Sequence, residues 1–191
     1  AAVIAIDEKS LATLGRWPWS RDVHARLIRH LAEAGLGPLV LDIILTEDSG
    51  SADDALAAAM REHGDVWLPL HLQTVDDAVL ELLPAAGFLA ASRGVGHAHL
   101  PLDADGIVRG VRLYEGDPAS PWPALALAVA ASRPPAGRIG AHSRAVATPT
   151  DRVGIPFAGG TGHVPTLSYI DVLQGRIPAS VLQGRVLFVG A

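Results

Sequence analysis

Residues 16–45 read RWPWSRDVHARLIRHLAEAGLGPLVLDIIL, and the second half of this stretch decides the fold class. Val23, Leu27, Leu31 and Ala34 recur at four-and-three spacing, which lines up one face of an α-helix. Ser20 stands where a helix start wants a side-chain acceptor, and Gly35 supplies a left-handed stop. The run LVLDIIL at 39–45 follows at once, rich in β-branched residues and apolar on both faces, as a buried strand is. Upstream, Val3 to Ile6 is a second short apolar run and ends in Asp7. Strand, helix, strand is the parallel crossover unit, so an α/β architecture is expected from the first 45 residues.

Working downstream, Ser51 or Asp53 opens a helix that stops at Gly64, and VWLPLHL at 66–72 reads as a third strand. Pro69 should push that strand toward an edge or a bulge, because proline cannot donate to a ladder. Leu80 to Ser92 reads as a loop and a short helix, broken at Pro84 and Gly87. Val95–Leu102 and Ile107–Tyr114 flank Asp103-Ala104-Asp105-Gly106, which predicts two paired strands with Gly106 at positive φ. Pro121 and Pro123 introduce an alanine-rich helix to Ser132, and Pro134–Gly140 and Val153–Pro165 read as loops. Leu167–Leu173 and Pro178–Leu182 are short helical pieces, and RVLFVG at 185–190 closes as a buried strand. The expected fold is a single α/β domain with a mixed, largely parallel sheet and helices on both faces.

Composition narrows the function classes. The chain has 191 residues, 49% of them apolar and 18% charged, which suits one folded core rather than a disordered segment. Net charge is −5 and Lys9 is the only lysine, so no basic field exists to displace counterions from nucleic acid. Without cysteine there is neither a disulfide nor a thiolate metal site. No apolar run approaches the roughly 20 residues that cross a bilayer. The chain starts without methionine inside one strand-like run and stops inside another, and reads as a segment of a longer protein.

Several stretches together resemble one family: IAIDEKSL (4–11), GRWPWSRDVHARLIRHLAEAG (15–35), LDIILTE (41–47), DDALAAAM (53–60), VWLPLHL (66–72), GVGHAHLPLDADGIVRGVRLYEG (94–116), IPFAGG (155–160), LSYIDVLQGRIP (167–178) and LQGRVLFVGA (182–191). They look like a CHASE domain of the second type, a cyclase- and histidine-kinase-associated sensory extracellular domain, with WPW-S-R-x-x-H-A-R-L as the most specific part. The resemblance implies an extracytoplasmic sensor of a bacterial transmembrane receptor, flanked by membrane helices and followed by a cyclase, histidine kinase or serine/threonine kinase. It implies no chemical signal. An unidentified small-molecule or ionic signal and a homodimer are expected, with no nucleic-acid partner, no cofactor, no catalytic residue in this segment, and membrane attachment only through the flanking helices.

The candidate ligand-binding residues are Asp7, Trp17, Trp19, Arg21, His24 and Asp42. Asp7 and Asp42 fall at the carboxyl ends of strands, where open α/β sheets gather ligands. Arg21 and His24 lie about one turn apart at the helix entrance, and an indole beside them would wall a site for an anionic or aromatic molecule. The same residues have a plainer reading: one or both tryptophans cap the core, Asp7 caps the helix Glu8–Leu14, and Asp42 pairs internally with Arg21. Two further alternatives are a metal-assisted hydrolase built on Asp7 and Asp42, and a ligand-free dimerisation module. His97 and His99, spaced for one strand face, lack an evident third metal ligand and read as partly exposed, hydrogen-bonded histidines. Asp103-Ala104-Asp105-Gly106 starts like a calcium loop but meets Arg109 and Arg112 in place of the downstream glutamate, so it reads as a turn. No serine sits in a nucleophile elbow, and the glycines at 159–162 carry no phosphate-loop lysine.

Overall fold

The computed structural model describes residues 1–47, 50–76, 78–133, 152–160 and 162–190. The first elements are β1 (Ala2–Ala5), α1 (Glu8–Leu14), α2 (Arg21–Glu33), β2 (Leu39–Leu41), α3 (Ser51–His63) and β3 (Val66–Val75). Next come β4 (Ala78–Leu82), α4 (Ala86–Ala91), β5 (Gly94–His97), β6 (Gly110–Arg112), β7 (Tyr114–Glu115), β8 (Trp122–Pro123) and α5 (Leu125–Ala131). The chain ends with β9 (Arg152–Gly154), β10 (Thr166–Ser168), α6 (Tyr169–Leu173), α7 (Ala179–Leu182) and β11 (Leu187–Gly190). The α/β class with a mixed, largely parallel sheet is the one observed. The loop expected at 134–140 lies outside the described residues.

Within the domain, contacts separate two compact units: Ala1–Leu68 with Pro84–Gly94 and Ala158–Ala191, and Pro69–Leu83 with Val95–Phe157. The first holds the parallel strands in the order β10-β1-β11-β2-β3. Ile4 is in register with Val189, and Val189 with Leu41, so these three share a face, and all are shut from solvent. The opposite face buries Val40 and Trp67 but leaves Val3, Ala5 and Phe188 half-covered. Cover is therefore complete on one face and partial on the other. Helix contacts run in series from α6 to α2 to α3 to α4, which makes these four one row.

The capping chemistry matches the sequence. Asp7 is the N-cap of α1, Ser20 the N-cap of α2, and Gly64 ends α3 in the left-handed conformation with its N–H on the Met60 carbonyl. The buried stripe of α2 differs from the expected one: His24, Ala25, Leu27, Ile28 and Leu31 face inward, while Ala34 is exposed. The stripe is rotated toward His24, because α2 packs between α3 and α6 rather than on the sheet alone.

In the second unit, β4 returns antiparallel along β3 from His71↔Leu82 to Val75↔Ala78, where a loop was expected. Pro69 falls between the last parallel pair with β2, at Trp67, and the first antiparallel pair with β4, so it interrupts neither ladder. The expected hairpin across 103–106 forms only its turn: the Gly106 N–H reaches the Asp103 carbonyl at 2.8 Å, with Gly106 at φ +78°. Its flanking segments pair elsewhere, β5 with β3 and β6 with β9. The turn is a local choice, but the partner of a strand of three or four residues is set by segments far away in the chain.

Candidate functional site

The Trp17–Pro18 peptide is cis, and the two indoles meet edge to face with centroids 5.3 Å apart. Trp19 is buried, its Nε1–H donating to the Gly15 carbonyl at 2.8 Å; Trp17 is half-buried. Tyr169, from the first turn of α6, lies 5.0 Å from Trp19 and 5.8 Å from His24, and Trp17 lies 5.7 Å from His24. These four rings form a closed aromatic cluster at the entrance of α2. Fully buried rings of this size dominate local packing energy.

Inside the cluster, His24 is completely shut from solvent and its Nδ1 is 3.0 Å from the Tyr169 hydroxyl. That hydroxyl donates its one proton to the Val23 carbonyl at 3.3 Å, so Nδ1–H donates to the phenol oxygen and Nε2 keeps a bare lone pair. Nε2 has no partner. Burial, and after it the cation of Arg21, push the imidazole pKa down to about 4, so His24 is neutral at physiological pH. Burial likewise pushes the Tyr169 phenol far up.

The charged candidates are held by other residues than expected. Arg21 pairs through Nε with Asp53 of α3 at 3.3 Å, both side chains mostly buried, and not with Asp42. Asp42 is exposed and makes no side-chain bond among the described residues. Asp7 accepts from the N–H and hydroxyl of Ser10 and from the Ser168 hydroxyl at 2.9 Å. Burial raises its pKa, but these donors together outweigh that and hold the carboxyl below its usual range. The structure thus joins Trp17, Trp19 and His24 in one cluster, puts Arg21 in an ion pair at its edge, and gives Asp7 a separate capping network. An open cleft of about 470 Å³ borders the cluster, lined by Trp19, Ser20, Arg21, Ile44, Thr46 and Glu47 among others.

The sequence points to Asp53 only as a helix opener and gives Tyr169, Ser10 and Ser168 no site role; of the latter three only Ser10 has a local signal, three residues after a capping aspartate. A fifth such residue is Glu115. It lies 2.6 Å from His99 and 3.9 Å from His97, and binds Arg112 at 3.3 Å. His99 is half-exposed and bonded as expected; His97 is fully buried and makes no well-formed hydrogen bond among the described residues. Asp103 and Asp105 bind Arg109 at 3.0 and 2.7 Å, and Asp103 also binds Arg152, so both aspartates of the turn are held by arginines. Among the described residues no group of three or more His, Asp or Glu is placed to hold a metal ion, and no helix is long and apolar enough to cross a membrane.

Rings packed on an internal histidine, with Arg21 and Asp53 paired at its edge and Asp7 in a capping network, sit at the helix entrance of this α/β module. The chain belongs to the CHASE2 domain family, whose model matches residues 1–191. CHASE2 domains are extracellular sensory domains of membrane-bound signalling receptors and are not catalytic. No curated protein and no solved structure matches the chain.

Proposed function

We propose that this domain is the extracytoplasmic input module of a bacterial receptor whose output is a nucleotide cyclase, a histidine kinase or a serine/threonine kinase, and that it works as a homodimer. The observation that carries the reading is the family match over the whole chain. The ligand-facing part of the candidate set is Trp19 and Arg21, which border the cleft. An anionic or aromatic small molecule would rest against the indole and compete with Asp53 for the guanidinium. Asp7, Trp17 and His24 hold that entrance in place, and Asp42 marks the neighbouring strand end.

Strands β1 and β11, near the two ends of the chain, are hydrogen-bonded neighbours from Ala2↔Leu187 to Ala5↔Gly190. Because they are parallel, the chain enters β1 and leaves β11 at opposite ends of the pair, about 10 Å apart at 3.3 Å per residue. Coupling to flanking segments is then a sliding of one strand's surroundings against the other's, and a ligand drives it only by its differential affinity for the two arrangements.

The test is the output of the full-length receptor in membranes across anions, metabolites and metal ions, with and without this domain. Responses that vanish with the domain, and with Arg21→Ala for the active compound, support the reading; output indifferent to the domain's removal overturns it. A ligand-free dimerisation module is the second reading, favoured by the burial of Trp19 and His24. It requires that stability rise with protein concentration and with no compound in the panel.

A further inference from the structure

Three of the four buried side-chain nitrogens that lack a partner among the described residues lie in the second unit: Nδ1 and Nε2 of His97, and Nε1 of Trp122. The carboxylate in range of His97 is that of Glu115, while the Glu81 carboxylate lies beside Trp122 at Gly116. Glu115 stands opposite Trp122 in the β7–β8 ladder, and its side chain is 7% exposed. It is bound by the half-exposed His99 and by Arg112, while the His97 ring stops at 3.9 Å, beyond hydrogen-bond range. A buried imidazole with neither nitrogen in a well-formed hydrogen bond carries a desolvation penalty, and a carboxylate about one ångström out of reach is the partner that would relieve it once the ring is cationic.

The strand that carries His97 has no slack. A Cβ on Gly96 would meet the Leu125 Cα at 2.5 Å and its backbone N at 2.7 Å, and His97 bridges Ala124 just before α5. Any movement of the His97 backbone toward Glu115 would press the end of β5 against the start of α5. Packed contacts of this kind shift between discrete arrangements rather than deform continuously.

We propose that His97, Glu115 and His99 form a proton-driven switch, in which uptake of a proton by His97 draws Glu115 from His99 onto His97 and displaces the end of β5 against α5. Burial holds the His97 pKa below the ordinary histidine value; Glu115 pulls it up, His99 pushes it down, and the Arg112 carbonyl pulls it up. His97 is accordingly neutral at neutral pH and becomes charged only on acidification. Its service as the receptor's signal, external acidity, rests on the sensory reading above; the switch itself does not.

The experiment follows the imidazole nitrogens and the Trp122 indole N–H of this 191-residue chain by NMR from pH 8 to 4.5. The expected result is that His97 titrates below the ordinary histidine range, that the Trp122 signal shifts with the same midpoint, and that Glu115→Gln lowers the proton affinity of His97 about tenfold. Titration of His97 without a coincident change at Trp122 overturns the proposal, and so does a midpoint unmoved by Glu115→Gln. Assignment in the unsubstituted chain decides the first point even if the variant does not fold. In the full-length receptor, acid-dependent output that His97→Gln removes supports the signalling role, and acid-dependent output that survives His97→Gln overturns it. A switch seen in the domain while output ignores both pH and the domain's removal overturns the sensory reading and leaves the switch standing.

Discussion

His24 and His97 are both completely buried and both neutral at neutral pH, yet their surroundings prepare them for opposite fates. His24 has one nitrogen bonded to Tyr169, three aromatic rings around it and a cation, Arg21, nearby. His97 has no well-formed hydrogen bond among the described residues, only the pull of the Arg112 carbonyl, and a nearly buried carboxylate at 3.9 Å. Protonation at His24 meets only desolvation and repulsion. At His97 it meets a waiting counter-charge. Burial alone makes a histidine acid-labile; a carboxylate at the right distance is what can turn that lability into a second defined state.

The largest expected effect tests whether the His24 side is a packed cluster. Trp19→Ala should cost about 4 kcal/mol in urea denaturation, since it empties a buried site the size of an indole. A loss near zero would show that the rings lie loosely around His24. On the His97 side, Gly96→Ala should cost about 3 kcal/mol, because the atoms it strikes are the backbone of Leu125 and cannot rotate away. Tolerance of that methyl would mean that β5 has room to move and that His97 needs no concerted shift.

The acid dependence sharpens the contrast. For His24, the pKa falls from about 6.5 unfolded to about 4 folded, so its contribution is intact above pH 6.5 and is lost as pH falls toward 4, about 3 kcal/mol in all. Urea midpoints at pH 7, 6, 5 and 4 should show this slope, and His24→Gln should flatten it. A slope unchanged by the substitution would assign the acid lability to other groups. Smaller again, Tyr169→Phe should cost about 1–2 kcal/mol, the penalty for stranding the His24 Nδ1–H and the Val23 carbonyl. A neutral outcome at equal pH would mean that water replaces the hydroxyl.

Features carried by neighbouring residues were legible. The caps at Asp7 and Ser20, the stops at Gly35 and Gly64 and the turn at Gly106 each follow from one side chain or one φ angle, and all are present. The crossover from β1 through α2 to β2 was legible from period alone. Legibility failed where partners lie far apart in the chain. Asp53 reaches Arg21 across 32 positions and Tyr169 reaches His24 across 145, and no spacing rule points from one to the other. The paired strands expected around Asp103–Gly106 failed for the same reason, since β6 found its partner in Arg152–Gly154.

Sequence by itself determined the α/β class of this domain, the caps that start α1 and α2 and its resemblance to a sensory family, because these depend on neighbouring residues and on periods of two and 3.6 residues. Tertiary structure alone decided which histidine is enclosed by rings and which faces a carboxylate. A side chain's charge state is set by what surrounds it in space, and burial and counter-charge are properties of the packed chain rather than of neighbours along it.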